Sequence, residues 1–152
     1  FKYIVHTMDV KQIDYKDTYP IRHQMLRPGR PVETCYFEGD DDELSFHLGA
    51  YIDGKLASVA SFYLQSHPSI LDEQHQYQLR GMATLPEHQR KGLSRALLKA
   101  AFPIIRNNHV RLLWCNARAQ AAGFYETVGF EKKSDIFEIP DVGPHYLMIK
   151  TI

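Results

Sequence analysis

The chain has 152 residues, 44% of them hydrophobic and 24% charged, and its 18 Lys and Arg balance 18 Asp and Glu to a formal net charge of zero. That length bounds it to a single domain with a substantial core, and the balanced charge argues against a nucleic acid or an anionic membrane as partner. No run approaches the roughly 20 apolar residues of a membrane span. Cys35 and Cys115 make neither a disulfide framework nor a zinc spacing, and the eight histidines lack the paired spacing of metal ligands. The expectation is a reduced, cytoplasmic protein without a metal.

Residues 1–8 read as a short strand rich in Tyr, Ile and Val. A helix follows over 17–26, with Pro20 in its first turn and Ile21 and Met25 on one face, and Pro28 ends it at Arg27. Residues 28–43 form a loop whose acidic run, 38–43, reads as solvated. Residues 44–52 and 55–64 flank Asp53-Gly54, a dipeptide suited to a two-residue hairpin turn. A polar connection, 65–75, leads to a fourth strand over 76–85. There alternation puts Tyr77, Leu79 and Ala83 on one face and Gln76, Gln78, Arg80 and Met82 on the other. The polar face either opens onto a cleft or belongs to an edge-like sheet.

Leu93, Leu97, Ala100, Ala101, Ile104 and Ile105 then give a helical period that Pro103 kinks or ends near Phe102. Residues 110–116 are almost continuously apolar, as in a parallel strand covered on both faces. A short helix over 119–128, capped by Gly129, and two strands at about 130–139 and 145–151 complete a mixed-sheet α/β domain.

Arg90, Lys91 and Gly92 stand where a helix start normally prefers acidic residues. A helix N-terminus carries unpaired N–H groups and partial positive charge, so a bound phosphate could supply the missing anion. The alternative is a surface turn kept soluble by its cations.

Gln89-Arg90-Lys91-Gly92-Leu93-Ser94 resembles the pyrophosphate signature of the GNAT acetyltransferase superfamily, Gln/Arg-x-x-Gly-x-Gly/Ala, with Ser94 as the departure. Residues 116–130, from Asn116 through the Ala-rich turn to Phe124-Tyr125-Glu126 and Gly129-Phe130, resemble its second hallmark. Segments over about 15–150, among them 76–85, 112–118 and 139–150, are similar to the bacterial glyphosate N-acetyltransferases.

The resemblance implies a single-domain GNAT-type mixed, twisted sheet with splayed central parallel strands and flanking helices. Acetyl-CoA would lie between the fourth and fifth strands. Its pantetheine would pair with the backbone of Met82 and Thr84 beside Ala83, and its pyrophosphate would sit at Arg90, Lys91, Gly92, Leu93 and Ser94, with Gln89 and Asn116 also at the coenzyme. His145 corresponds to the proposed general base, Tyr125 to the acid beside the sulfur, and Met82 N–H to the group that polarises the thioester carbonyl. Arg27, Arg80 and Arg118 match positions that clamp an anionic substrate. Taken alone, His145 also fits a packed core histidine, Tyr125 an aromatic anchor, and the arginines solvating charges.

The reading is an acetyl-CoA-dependent N-acetyltransferase for a small anionic amine, such as an amino acid or an amino-phosphonate, acting as monomer or homodimer. A protein or peptide N-acetyltransferase and a non-catalytic acyl-CoA sensor are the alternatives.

Overall fold

The computed structural model describes residues 6–152. Eleven regular elements follow in chain order: β1 (Met8–Ile13), α1 (Tyr19–Leu26), β2 (Phe46–Ile52), β3 (Lys55–Leu64), β4 (Tyr77–Thr84), α2 (Leu93–Asn107), β5 (Leu112–Arg118), α3 (Ala122–Thr127), β6 (Glu131–Lys132), β7 (Phe137–Ile139) and β8 (Gly143–Thr151). The strands form one mixed eight-stranded sheet in the order β1-β2-β3-β4-β5-β8-β6, with β7 also paired to β8. Of the strand expected over 1–8, residues 1–5 lie outside the described residues, and β1 starts at Met8. Among the described residues no helix is long and apolar enough to cross a membrane.

Phe1–Tyr63 and Arg80–Ala101 make up one compact unit. Its hairpin is the expected one: Ile52 pairs with Lys55, and Asp53 and Gly54 both take positive φ, 49° and 80°. This is the backbone a two-residue turn needs to match strand twist. Ile21 of α1, Val59 of β3 and Ala83 of β4 form a core cluster joined by Ile13, Met25 and Leu85.

The acidic run departs from expectation. Asp41, Asp42 and Glu43 are exposed, but Asp40 is 2% exposed and forms a fork with Arg22, itself fully buried. Arg22 Nη1 donates to Asp40 Oδ2 at 2.6 Å and Nη2 to Oδ1 at 3.0 Å. Further bonds run from Arg22 to Cys35 O and Ser61 Oγ, and from Tyr63 Oη and Phe37 N–H to Asp40. His47 donates through Nε2 to Asp40 O, which leaves Nδ1 to accept from Ser61 Oγ. Removing one partner would strand a buried charge, at a cost of about 3–5 kcal/mol.

Leu64–Leu79 and Phe102–Ile152 make up the other unit. Leu112 and Trp114 of β5 pack with Leu147 and Ile149 of β8, and Ile70 and Phe137 pack against that cluster. The parallel ladder between β4 and β5 is two pairs long, Tyr77 with Leu113 and Gln78 with Trp114. Gln76 precedes β4 and is fully buried, contrary to its place on a polar face: it accepts from His67 N–H and donates to Ile70 O and Glu73 O, stapling the 65–75 connection.

Two further expectations are corrected. Helix α2 runs on through Pro103 to Asn107. Pro103 and Lys99, whose carbonyl loses its donor, are both exposed, so water can replace the missing bond. The expected single strand at 130–139 is two, β6 and β7: between them Ser134 Oγ, not a carbonyl, accepts from Leu147 N–H.

Burial holds the His47 pKa below its ordinary value, against the pull of Asp40. For Asp40, burial pushes upward, but hydrogen bonds from Arg22, Tyr63 and Phe37 N–H and the Arg22 charge together hold it low. With both folded pKa values depressed, the unfolded chain binds more protons and stability falls as pH falls. The His47 contribution begins to go below about pH 6.5 and the Asp40 contribution below about pH 4. Urea unfolding between pH 7 and 5 should show this loss, and His47→Gln should flatten that part of the profile. An unchanged slope in the variant would show that His47 is not held neutral.

Candidate active site

In the first unit the turn between β4 and α2 carries the predicted phosphate residues. Leu93 is buried and anchors the helix, while Gln89, Arg90, Lys91 and Gly92 are exposed. Gly92 O accepts the first helical bond, from Ala96 N–H, so the N–H groups of the next residues have no partner within the helix. The first turn contains no acidic residue. Arg90 and Gly92 both take positive φ, 62° and 81°. A left-handed arginine is uncommon and costs on the order of 1 kcal/mol, so the turn is held in a shape its sequence does not prefer.

Hydroxyls tie this turn to the sheet. Thr84 Oγ1 sits 2.7 Å from Ser58 Oγ and 3.3 Å from Ser94 Oγ, and Gln89 Nε2 donates to Thr84 O. Ser94, the departure from the signature, therefore has a local partner in Thr84. Met82 is half-buried and Ala83 is buried, as alternation along β4 predicts.

The structure brings Arg27 and Arg80 together. Both are half-buried and both guanidinium carbons lie over the Phe37 ring, 5.0 and 5.5 Å from its centroid. Arg80 also lies over Tyr63 at 5.0 Å. Among the described residues neither has a carboxylate partner; their hydrogen bonds go to the carbonyls of Leu26 and Glu38. Phe37 and Tyr63 were not singled out from sequence, because only the fold brings the loop, β3 and β4 to one place.

In the second unit Arg118 of β5 pairs directly with His145 of β8, and Asn116 pairs with Leu147. Directly opposed residues share a sheet face, so Asn116, Arg118 and His145 stand on one face with Trp114 and Leu147. Asn116 and Arg118 are exposed, whereas His145 is 4% exposed and stacks on Phe137, with 6.1 Å between centroids. His145 Nδ1 is 2.7 Å from Gly143 O. A carbonyl can only accept, so Nδ1 carries the hydrogen and Nε2 of the neutral ring keeps its lone pair.

Tyr125 is on the other face. Alternation puts Cys115, Met148 and Lys150 there, and Gly129, just past α3, approaches so closely that a Cβ would stand 2.9 Å from Lys150 Cε. Tyr125 packs edge-on against Phe124 and Phe130. Burial, then nearby Cys115, raises its pKa, and burial lifts the Cys115 thiol to about 12. The phenol therefore keeps its hydrogen at neutral pH. His145 and Tyr125 do not share a face.

Residues 10–130 match the acetyltransferase (GNAT) family. The chain is 42% identical over 145 residues to the uncharacterized N-acetyltransferase YitI of Bacillus subtilis (strain 168), covering 95% of this chain and 97% of that protein. Its fold is similar to that of the aminoglycoside N-acetyltransferase AAC(6')-Iy in complex with CoA, with a TM-score of 0.76 at 17% identity over 93% of this chain and 99% of the other. It is also similar to the ribosomal-protein-S18-alanine N-acetyltransferase of Escherichia coli, with a TM-score of 0.70 at 23% identity over 96% and 94%.

The tautomer of His145 is open to direct measurement. Nitrogen-15 NMR of the neutral ring should show Nδ1 protonated and Nε2 free. A ring protonated at Nε2 would contradict the bond to Gly143 O.

Proposed function

The chain belongs to the acetyltransferase (GNAT) family and is an N-acetyltransferase, and from that premise we propose that its acceptor is a small amine bearing one or more anionic groups, an amino acid or a glyphosate-like phosphono-amine. The carrying observation is the direct pairing of Arg118 with His145, which sets a cation beside a base on one sheet face. An acceptor whose anionic group meets Arg118 has its amine within reach of the imidazole. Arg27 and Arg80, which have no carboxylate partner among the described residues, add to the preference for an anion. Guanidiniums bind carboxylate and phosphonate oxygens through paired, charge-assisted bonds.

The residues present fit acetyl-CoA as cosubstrate, which supplies an activated acyl group. The acid-free first turn of α2, with Arg90, Lys91 and the N–H groups near Leu93 and Ser94, suits a pyrophosphate. Gln89 supports that turn, and Met82, Ala83 and Thr84 offer strand backbone to the pantetheine.

The acceptor arrives as an ammonium and must lose a proton before it can attack. His145 Nε2 takes it, and the Gly143 carbonyl on the opposite nitrogen steadies the imidazolium that forms. Met82 N–H meets the charge that grows on the acyl oxygen. Tyr125 offers its hydrogen to the departing sulfur. An ordinary phenol titrates near 10 and a thiol near 8.5, and burial raises the Tyr125 value further. Full proton transfer to a free thiolate therefore runs uphill, and Tyr125 contributes most as a hydrogen bond while the C–S bond breaks.

The deciding assay mixes protein, acetyl-CoA and a panel of amino acids, phosphono-amines, neutral amines and short peptides, and follows thiol release. Anionic small amines should be turned over fastest, and His145→Ala should lower kcat by on the order of a hundredfold while coenzyme binding is kept. Preference for peptides or neutral amines would overturn the acceptor assignment. Coenzyme binding without turnover of any amine would overturn the catalytic one.

A further inference from the structure

A cavity of about 540 Å³ lies in the first unit against the start of α2, and no residue assigned to the acceptor lines it. Its apolar lining is Met8 of β1, Ile52 of β2 and Leu93 of α2. Met8 and Ile52 pair directly across their two strands, so their side chains are neighbours on one face.

The polar lining is basic. Lys55 opens β3 straight after the hairpin turn, His88 ends the short helical turn Pro86–His88, and Lys91 stands between Arg90 and Gly92, both at positive φ. Both lysines are exposed, and among the described residues neither ammonium has a carboxylate partner. His88 Nδ1 is buried and has no hydrogen-bond partner among those residues. Asp53 is the carboxylate of the lining, and both its oxygens are engaged. Oδ2 accepts from His6 Nδ1 at 2.7 Å, and Oδ1 accepts from Thr7 N–H at 3.1 Å. Two unmatched ammoniums at one cavity repel each other until an anion comes between them. A buried ring nitrogen without a partner is costly too, and an oxygen that accepts from it removes that cost.

We propose that this cavity is a second phosphate site, which takes a nucleotide-type phosphomonoester on Lys55, Lys91 and His88 with its ring against Met8, Ile52 and Leu93. A terminal phosphate carries close to two charges at neutral pH and has three free oxygens, one for each donor. A carboxylate offers one charge and two oxygens. The volume suits more than a bare ion, since cavities of about 300–1,000 Å³ hold small organic molecules. The phosphate has two sources. One is the 3′-phosphate at the adenosine end of the coenzyme, and the other is a free nucleotide held beside the bound coenzyme. Neither depends on which amine is acetylated, so the test reads binding without turnover.

Calorimetry compares coenzyme A with dephospho-coenzyme A, which lacks only the 3′-phosphate, and then titrates adenosine monophosphate into protein saturated with each. If the coenzyme fills the cavity, coenzyme A should bind about tenfold more tightly than its dephospho form, the scale of one charge-assisted bond. Lys55→Gln should remove most of that difference and leave dephospho-coenzyme A unchanged. Adenosine monophosphate should then bind the dephospho complex but not the coenzyme A complex. If a free nucleotide fills the cavity, adenosine monophosphate should bind both complexes alike, and Lys55→Gln should weaken it about tenfold.

Two further variants separate a site from a general field. His88→Ala should weaken the same phosphate ligand as Lys55→Gln does. Lys133→Gln removes an equal charge that does not line the cavity, and it should bind as the parent does. Equal losses in the Lys55 and Lys133 variants, or parent-like binding in the Lys55 variant, would overturn the proposal. So would equal affinity for the two coenzymes together with no binding of adenosine monophosphate to either complex. Failure of acetyl transfer to anionic amines would leave this site untouched and refute the acceptor reading alone.

Discussion

A guanidinium cannot lose its charge at any ordinary pH, so a fully buried arginine must find its countercharge inside the protein. Arg22 imposes that condition here, and Asp40 meets it with a two-pronged fork. The consequences spread outward. Asp40 can reach Arg22 only if the acidic loop turns one carboxylate inward while its neighbours stay wet. The lone pairs left on that carboxylate then recruit Tyr63 from β3 and the N–H of Phe37. Ser61 and His47 close the ring of bonds through the backbone of Asp40. A half-satisfied buried charge costs more than an apolar core, so these bonds resist being broken one at a time, and of the Arg22 nitrogens Nε alone lacks a hydrogen-bond partner. Phe37 and Tyr63, the two rings beneath Arg80, are both fastened to Asp40.

In the other unit the organising element is β8, which receives β5 along one edge and β6 and β7 along the other. Cross-strand register does the sorting. One face of β5 and β8 carries Arg118, Asn116 and His145, and the opposite face carries Cys115 and Met148 beneath α3. His145 has its tautomer set by a carbonyl two residues earlier on its own strand, and the Tyr125 phenol keeps its proton through burial.

How much was readable beforehand follows from which forces are local. The hairpin was legible because Asp53-Gly54 states its backbone angles outright. The start of α2 was legible because Gly92 and the apolar period that begins at Leu93 mark it. Arg118, His145, Arg27 and Arg80 were singled out from family resemblance alone, and the structure pairs the first two across β5 and β8 and sets the last two over Phe37. What stayed hidden were polar residues whose partners lie far along the chain. Asp40 looks like its exposed neighbours until Arg22, 18 residues earlier, takes it inside. Gln76 continues an alternating pattern until three loop groups occupy its amide. Pro103 and Ser134 misled for the converse reason, since a solvent-facing carbonyl and a side-chain oxygen can each replace a backbone bond at little cost.

Zero net charge and an anionic ligand are compatible once charges are counted by access. A charge fully matched inside the protein contributes little field at a binding surface. Of the three arginines at Phe37, Arg22 lies nearest the ring and would rank first by distance, yet Asp40 cancels it within 3 Å and no solvent reaches it. Arg27 and Arg80 lie farther out and, among the described residues, are hydrogen-bonded to carbonyl oxygens and to no carboxylate, so their charge is the part left unmatched. The Asp40 carboxylate thus has a second effect beyond holding the fold. By neutralising the innermost guanidinium it leaves two unmatched cations in place of three around one ring, which limits the repulsion among them.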